Sequence, residues 1–367
     1  MIARMTAGGA SASDLRLIIR ADASPSIGTG HVMRCLALGQ AWQAAGGQVT
    51  LVSHDLPPSL AERARTAGAS VEPALGPLGD LRDATHLATV VTDPRDRLVI
   101  DGPGLTLAVL ATIEPVAERT LVIDDLAKLE RYPVSIVVNQ NAHAGLLAYP
   151  PGTRLLGGLR WAILRHEFVS PDHHRRRPPS IARRLLIAFG GTDPAGLTRR
   201  TTRLILASTG VREIDRLELE VVVAATNPDA DAIAALTDRQ PRAHVRGEVT
   251  NMANLMAEAD MAITSGGTTV WELARMGVPS LVVETSPVEA ALASGLRDVG
   301  LFDTLGPAES LNDATIIGAV GARASDLGWR RQMATRGPRL VDGKGATRVA
   351  VALAAAPGAL PPDLLSR

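Results

Sequence analysis

The sequence predicts an α/β protein made of two doubly wound, Rossmann-like domains facing one another across a cleft. Three observations carry this: short apolar runs alternate with helical patterns, the alternation occurs twice, and a stretch rich in proline and charge separates the two series. A chain of 367 residues suits the reading, since domains of roughly 100–200 residues bury a sufficient core.

The first series opens at residues 15–20, an apolar run read as a buried strand. Val32, Leu36, Leu38 and Trp42 follow at about helical spacing, so Gly28 and Gly30 fall in the turn between strand and helix. Residues 49–53, 97–101, 120–124 and 135–138 read as further strands, with helical segments near 58–68 and 104–117. Residues 170–180 form the separating stretch, and Arg175 to Arg177 within it is a solvated basic run. The second series contains 184–190, 217–223, 243–245, 260–264 and 279–283. The expected organisation is a disordered extension over 1–13, an N-terminal domain over 14–169, a linker over 170–182 and a C-terminal domain over 183–367.

Composition narrows the function classes. Lys plus Arg and Asp plus Glu both number 38, so the formal net charge is zero and nothing favours a nucleic-acid or membrane-surface role. Cys35 is the sole cysteine, which excludes an internal disulfide and a multi-cysteine metal site; a small buried residue is its ordinary role. No apolar stretch of about 20 residues occurs and the first residues lack a signal-peptide core, so a cytoplasmic location without membrane insertion is expected.

Glycine turns carry the chemistry. The turn Gly28-Thr-Gly30-His31 leads into a helix whose first N–H groups are unpaired and face an anion or a polarised sugar oxygen. It is not a dinucleotide fingerprint, because the sixth position is Met33 and the second strand ends with only Asp55, after a histidine. In the second domain, Gly190-Gly191-Thr192-Asp193-Pro194 follows the first strand and Gly266-Gly267-Thr268-Thr269 follows a later one. Pro194 suits the first turn of the next helix. Two such helix starts can neutralise much of a diphosphate without a metal, each with on the order of half a positive charge. Glu272, about one turn into its helix, either accepts hydrogen bonds from ribose hydroxyls or complements the dipole.

Seven segments, in order, resemble one family. They are Arg20-Ala-Asp22-Ala-Ser24, Gly28-x-Gly30-His31-x-x-Arg34, Asp124-Asp125-Leu-Ala127, Asn139-x-Asn141, Leu164-Arg-x-Glu-Phe168, Gly190-Gly-Thr-Asp193 and Gly266-Gly-Thr-Thr-x-x-Glu272. Together they are similar to the pseudaminic acid pathway UDP-sugar hydrolases, from Leu15 to about Gly300. The resemblance implies a GT-B glycosyltransferase-like fold. The activity implied is release of UDP from UDP-2,4-diacetamido-2,4,6-trideoxy-β-L-altropyranose. It leaves open whether the sugar is destined for flagellin or for a surface polysaccharide. Two positions depart from the pattern: Gly102-Pro103-Gly104 stands where the family has a tyrosine after the strand-end aspartate, and Thr285-Ser286 where it has Asn-Gln.

On that reading His31 is the general base. The positive end of its helix favours the uncharged imidazole that accepts a proton, and attack opposite the leaving UDP inverts the anomeric carbon. Asp22, Gly28, Gly30, Arg34 and Asn141 are the substrate-binding candidates. Gly190, Gly191, Thr192, Asp193, Gly266, Gly267, Thr268, Thr269 and Glu272 are the UDP-binding ones. Arg34 contacts substrate or pairs with Asp22. Asp124 and Asp125 point in opposite directions at a strand end, so one at most faces the site. Asp229-Ala-Asp231 is read as helix capping; no metal-ligand spacing is present and no cofactor is expected. Trp161 and Trp271 pack or stack on a ligand. A GT-B transferase using a UDP-sugar donor and a noncatalytic nucleotide-sugar binder are the alternatives.

Overall fold

The computed structural model describes residues 15–24, 26–169, 177–247, 249–286, 289–290 and 299–355. The expected extension over 1–13 and most of the linker, including Arg175 and Arg176, lie outside them. The chain forms two units, each a parallel sheet with helices.

In the first unit the strands are β1 (Arg16–Ala21), β2 (Gln48–Ser53), β3 (Ser70–Pro73), β4 (Arg97–Asp101), β5 (Thr120–Ile123), β6 (Ile136–Asn139) and β7 (Leu155–Gly157). Helices α1 (Gly30–Gln43), α2 (Pro58–Thr66), α3 (Leu81–Val90) and α4 (Leu107–Thr112) connect several of them. The spatial order is β3-β2-β1-β4-β5-β6-β7, all parallel. Strands β3 and β7 escaped the sequence reading, being short, lying at the edges and lacking the continuous apolar run of a doubly covered strand. One face of the sheet packs Leu17, Ile19, Val99 and Leu121 against Val32, Leu36 and Trp42; the other packs Ile18, Leu98, Ile100 and Val122 against Leu87, Val109 and Leu110.

The second unit contains β8 (Arg184–Ala188), β9 (Glu218–Val222), β10 (Ala243–Arg246), β11 (Met261–Ser265), β12 (Ser280–Glu284) and β13 (Asp303–Pro307), in the order β10-β9-β8-β11-β12-β13. Its helices include α5 (Leu197–Ala207), α6 (Arg212–Asp215), α7 (Ala230–Thr237), α8 (Met252–Glu258), α9 (Thr269–Arg275), α10 (Asp313–Ser325) and α11 (Leu327–Leu340). The core places Leu185, Ile187, Leu219 and Ile263 against Leu197, Ile205, Ile316 and Val320. In both sheets the connections reverse direction beside the first strand, at β1/β4 and at β8/β11. Such a switch point opens a crevice at the carboxyl ends of the strands, where ligands of open α/β sheets bind.

One boundary differs from expectation. The second unit is Glu167–Asp342, and from Gly343 the chain belongs to the first unit again. Helix α12 (Gly345–Ala354) buries Val349, Ala350 and Leu353 in the same core as α1, and Arg97 Nε donates to the Leu353 carbonyl at 2.8 Å. The C-terminal domain expected over 183–367 is therefore shorter. Gly345 permits the docking, since a Cβ there would lie 2.1 Å from the Ala162 carbonyl oxygen.

Among the described residues no helix is long and apolar enough to cross a membrane.

Candidate active site

His31 is the second residue of α1, where the turn through Gly28 delivers it to the β1/β4 switch point. Gly28 adopts φ +78°, which a residue with a Cβ rarely takes, while Gly30 opens the helix with nothing where its Cβ would be. Thr29 precedes the helix without a side-chain cap, so the first N–H groups of α1 receive nothing from it. One helical turn after His31, Arg34 lies on the same face.

Both side chains converge on Asp101, the last residue of β4. His31 Nδ1 is 2.8 Å from Asp101 Oδ1. Arg34 Nε and Nη2 donate to the two oxygens at 2.5 and 2.6 Å, and Arg34 Nη1 reaches Asp125 Oδ2 at 2.7 Å. Asn141 Nδ2 donates to Asp125 Oδ1 at 2.7 Å and to Asn139 Oδ1 at 2.8 Å. A carboxylate only accepts, so the proton of the neutral imidazole sits on Nδ1 and Nε2 is left with its lone pair, the arrangement of an oriented general base. The His31 side chain is 26% exposed, whereas Asp101 is fully buried.

Burial alone would raise the Asp101 carboxyl. The Arg34 and His31 charges and their hydrogen bonds override it and hold the group well below the usual carboxylate range. Burial opposes the Arg34 charge, but Asp101 and Asp125 together raise its pKa well above the ordinary value. Two carboxylates against one guanidinium leave an excess negative charge, which an imidazolium formed at His31 would balance.

A second triad of the same composition shows the contrast. Arg20, fully buried at the end of β1, pairs with Asp22 at 2.5 Å and Asp83 at 2.6 Å. Here the excess negative charge is met by the backbone: His54 N and Leu78 N donate to Asp22 at 2.8 and 2.9 Å, and Leu75 N donates to Asp83 at 3.1 Å. Burial would raise the Asp22 carboxyl, yet Arg20 and the N–H groups of His54 and Leu78 lower it. Asp22, expected as a substrate ligand, is thus consumed in anchoring the loop from 74 to 79. Nor is it the partner of Arg34, which binds Asp101 and Asp125.

The anchored loop accounts for the glycine at 104. A Cβ on Gly104 would lie 1.7 Å from the Leu78 carbonyl oxygen. The Gly104→Ala variant is accordingly expected to lose about 1–3 kcal/mol of stability through overpacking. Thermal unfolding reads this out, and an unchanged midpoint would show that the two loops part without cost.

The paired aspartates divide as strand geometry requires. Asp125 joins the Arg34 cluster; Asp124 turns to the Tyr132 hydroxyl and to Leu126 N and Lys128 N. Burial and the Asp124 contact push the Tyr132 phenol far above its ordinary pKa. Cys35 is fully buried on α1 with Sγ 3.6 Å from Asp101, and burial raises its thiol pKa well above normal. Trp161 and Trp271 are core residues.

In the second unit the two glycine turns stand on adjacent strands, β8 and β11, tied by Thr264 Oγ1 donating to the Ala188 carbonyl at 2.6 Å. Gly190 (φ +86°) is open and exposed, and Gly191 and Thr192 are half-buried. Asp193 faces inward, accepting from Leu197 N at 3.0 Å and Thr198 N at 2.7 Å, so it anchors the start of α5 and its carboxylate is spent there. Helix α5 begins at Leu197 after Gly196, not at Pro194, because Asp193 (φ +38°) and Gly196 (φ +62°) break the helical backbone between them. Gly266, Gly267 and Thr268 lead into α9, with Thr269 its first residue and Glu272 half-buried in its first turn. Glu289 stands against this turn: a Cβ on Gly266 would meet the Glu289 Cβ at 3.0 Å, and its carboxylate accepts from Thr285 N and Oγ1 at 2.7 and 2.6 Å. The 190–192 turn is therefore the more open of the two. Asp229, expected to cap α7, makes no side-chain cap there and instead pairs with Arg199 at 3.2 Å.

No protein-family profile matches the chain. It is 30% identical to the spore coat polysaccharide biosynthesis protein SpsG of Bacillus subtilis strain 168 over 203 residues, 55% of this chain and 58% of that protein. It is 24% identical to an uncharacterised protein of Methanocaldococcus jannaschii over 280 residues, 73% of this chain and 55% of that one. The chain thus matches little more than half the length of these relatives. Among solved structures, Acinetobacter baumannii MurG superposes with a TM-score of 0.62 at 15% identity, covering 92% of this chain and 98% of that one. CalG4, the calicheamicin glycosyltransferase, gives 0.58 at 18% identity, covering 92% and 97%. The fold is that of the GT-B glycosyltransferases. S. aureus MnaA, solved with UDP, has a TM-score of 0.62 at 13% identity, covering 91% of this chain and 94% of its own.

Asp101, Asn139 and Glu289 were not singled out as site residues. Asp101 left one legible signal, a carboxylate ending an apolar strand. Its pairing with residues 67 and 70 positions earlier is a product of the sheet order.

Proposed function

We propose that the chain is a nucleotide-sugar-dependent glycosyltransferase in which His31 acts as general base on an acceptor hydroxyl. The observation that carries the reading is the Asp101-oriented imidazole at the β1/β4 switch point. Its free Nε2 takes the acceptor proton, the acceptor oxygen forms its bond to the anomeric carbon, and the bond to the nucleoside diphosphate breaks with inversion. Arg34 and Asp125 fix Asp101 rather than touch the reacting atoms. The turn 190–192 receives the diphosphate, with Thr268, Thr269 and Glu272 as further nucleotide contacts. UDP is the expected nucleotide.

Likeness to glycosyltransferase structures supports transfer over the hydrolysis implied by the family resemblance. Hydrolysis of a UDP-linked diacetamido-trideoxy sugar stays as the second reading, because the same base serves a water molecule. The ordered motifs that suggested it also converge in the site, at His31, Arg34, Asp125, Asn139 and Asn141.

The test incubates the purified chain with a UDP-sugar panel, with and without hydroxyl acceptors. Transfer requires turnover only when acceptor is present; free sugar and UDP without acceptor select hydrolysis; binding without turnover in either arm removes both. Separately, Glu272→Ala is expected to weaken UDP binding about tenfold, the loss of charge-assisted hydrogen bonds to ribose. An unaltered UDP dissociation constant by calorimetry would confine Glu272 to the helix dipole.

A further inference from the structure

His143 is 6% exposed, on the turn that follows β6, and neither of its ring nitrogens has a hydrogen-bond partner. A neutral imidazole carries one donor and one acceptor, and burying both unpaired is destabilising. Native proteins leave few such groups unpaired, and each calls for a physical explanation. The ring lies near Asp125, the carboxylate that receives Arg34 and Asn141; burial pushes the imidazole pKa down, while the Asp125 carboxylate and the Asp125 backbone, close to the ring but outside hydrogen-bond geometry, oppose this. Asp125 is itself 19% exposed, so its carboxylate is reached from solvent.

The turn that holds the ring is closed locally. Ala144 N donates to the Asn141 carbonyl at 3.0 Å and Leu146 N to the His143 carbonyl at 2.8 Å, while Leu146 projects into solvent.

We propose that His143 is a ligand-recognising residue of the N-terminal unit, pairing a ring nitrogen with an uncharged polar substituent, a hydroxyl or an amide, of a glycosyl group bound beside Asp125. The assignment rests on the nucleotide-sugar reading above and adds to it the group that senses the sugar. An anionic substituent does not fit, because Asp125 would repel it.

The experiment compares the full-length chain with His143→Phe, which keeps a planar aromatic ring of somewhat larger size and removes both polar atoms. Free of ligand, the variant is expected to melt about 2–4 °C higher. Calorimetry with UDP is expected to give the same dissociation constant for both. With UDP-N-acetylglucosamine and UDP-glucose the variant is expected to bind at least one about tenfold more weakly. A lower melting point would overturn the proposal by revealing a structural partner for the ring, and equal nucleotide-sugar affinity would overturn it by showing no ligand role. If the parent itself binds neither UDP nor the sugars, the nucleotide-sugar reading fails first, and is seen to fail before any substitution. Should the variant not fold, imidazole ¹⁵N resonances of the parent serve. The His143 signals move on adding the nucleotide sugar but not UDP, and static signals with bound sugar count against the assignment.

Discussion

Replacing His31 by alanine is expected to lower turnover at least about a hundredfold while nucleoside-diphosphate affinity stays within a factor of two or so. A hundredfold is about 2.7 kcal/mol of transition-state stabilisation, the scale of a positioned base. The folded protein tolerates the change, because the ring is a quarter exposed and Asp101 keeps both bonds from Arg34. Turnover equal to the parent's would take His31 out of the mechanism.

The second large effect is expected at Asp101, where Asp101→Asn disturbs stability and chemistry together. An amide cannot accept from Arg34 on both of its atoms, so one guanidinium N–H meets an N–H instead. Breaking a buried charged pair from one side costs roughly 3–5 kcal/mol, enough to lower the melting point by upwards of about 6 °C. Imidazole orientation is lost with it. Turnover of the folded variant is expected to fall as far as in His31→Ala, and the double variant no further, since the two residues act as a unit. A variant that loses stability yet turns over normally when folded would make Asp101 purely structural. The pH dependence has a definite sign. The folded carboxyl lies below its ordinary value, so its stabilisation is complete above about pH 4 and is lost as pH falls toward the folded pKa. Parent and variant therefore converge in stability in strong acid.

Much of the fold was legible because parallel strands covered on both faces are continuous apolar runs, and β1, β2, β4, β8 and β11 are of that kind. Edge strands β3, β7 and β13 were missed for the converse reason. At the site, the glycine turn and the i, i+3 spacing of His31 and Arg34 are local properties and could be read. The fates of Asp22 and Asp193 could not. A carboxylate next to a glycine turn looks the same in sequence whether it meets a ligand or its own backbone, and here it meets backbone N–H groups.

By itself the sequence determined two parallel α/β domains and a histidine at the start of the first helix, because hydrophobic period, glycine turns and helix spacing act over a few residues. Tertiary structure alone decided that Asp101 orients that histidine, that Asp125 rather than Asp124 joins it, that His143 is buried without partners and that the last helix returns to the first unit. These depend on strand order and on which backbone donors a buried charge finds, and both are settled by residues tens to hundreds of positions apart.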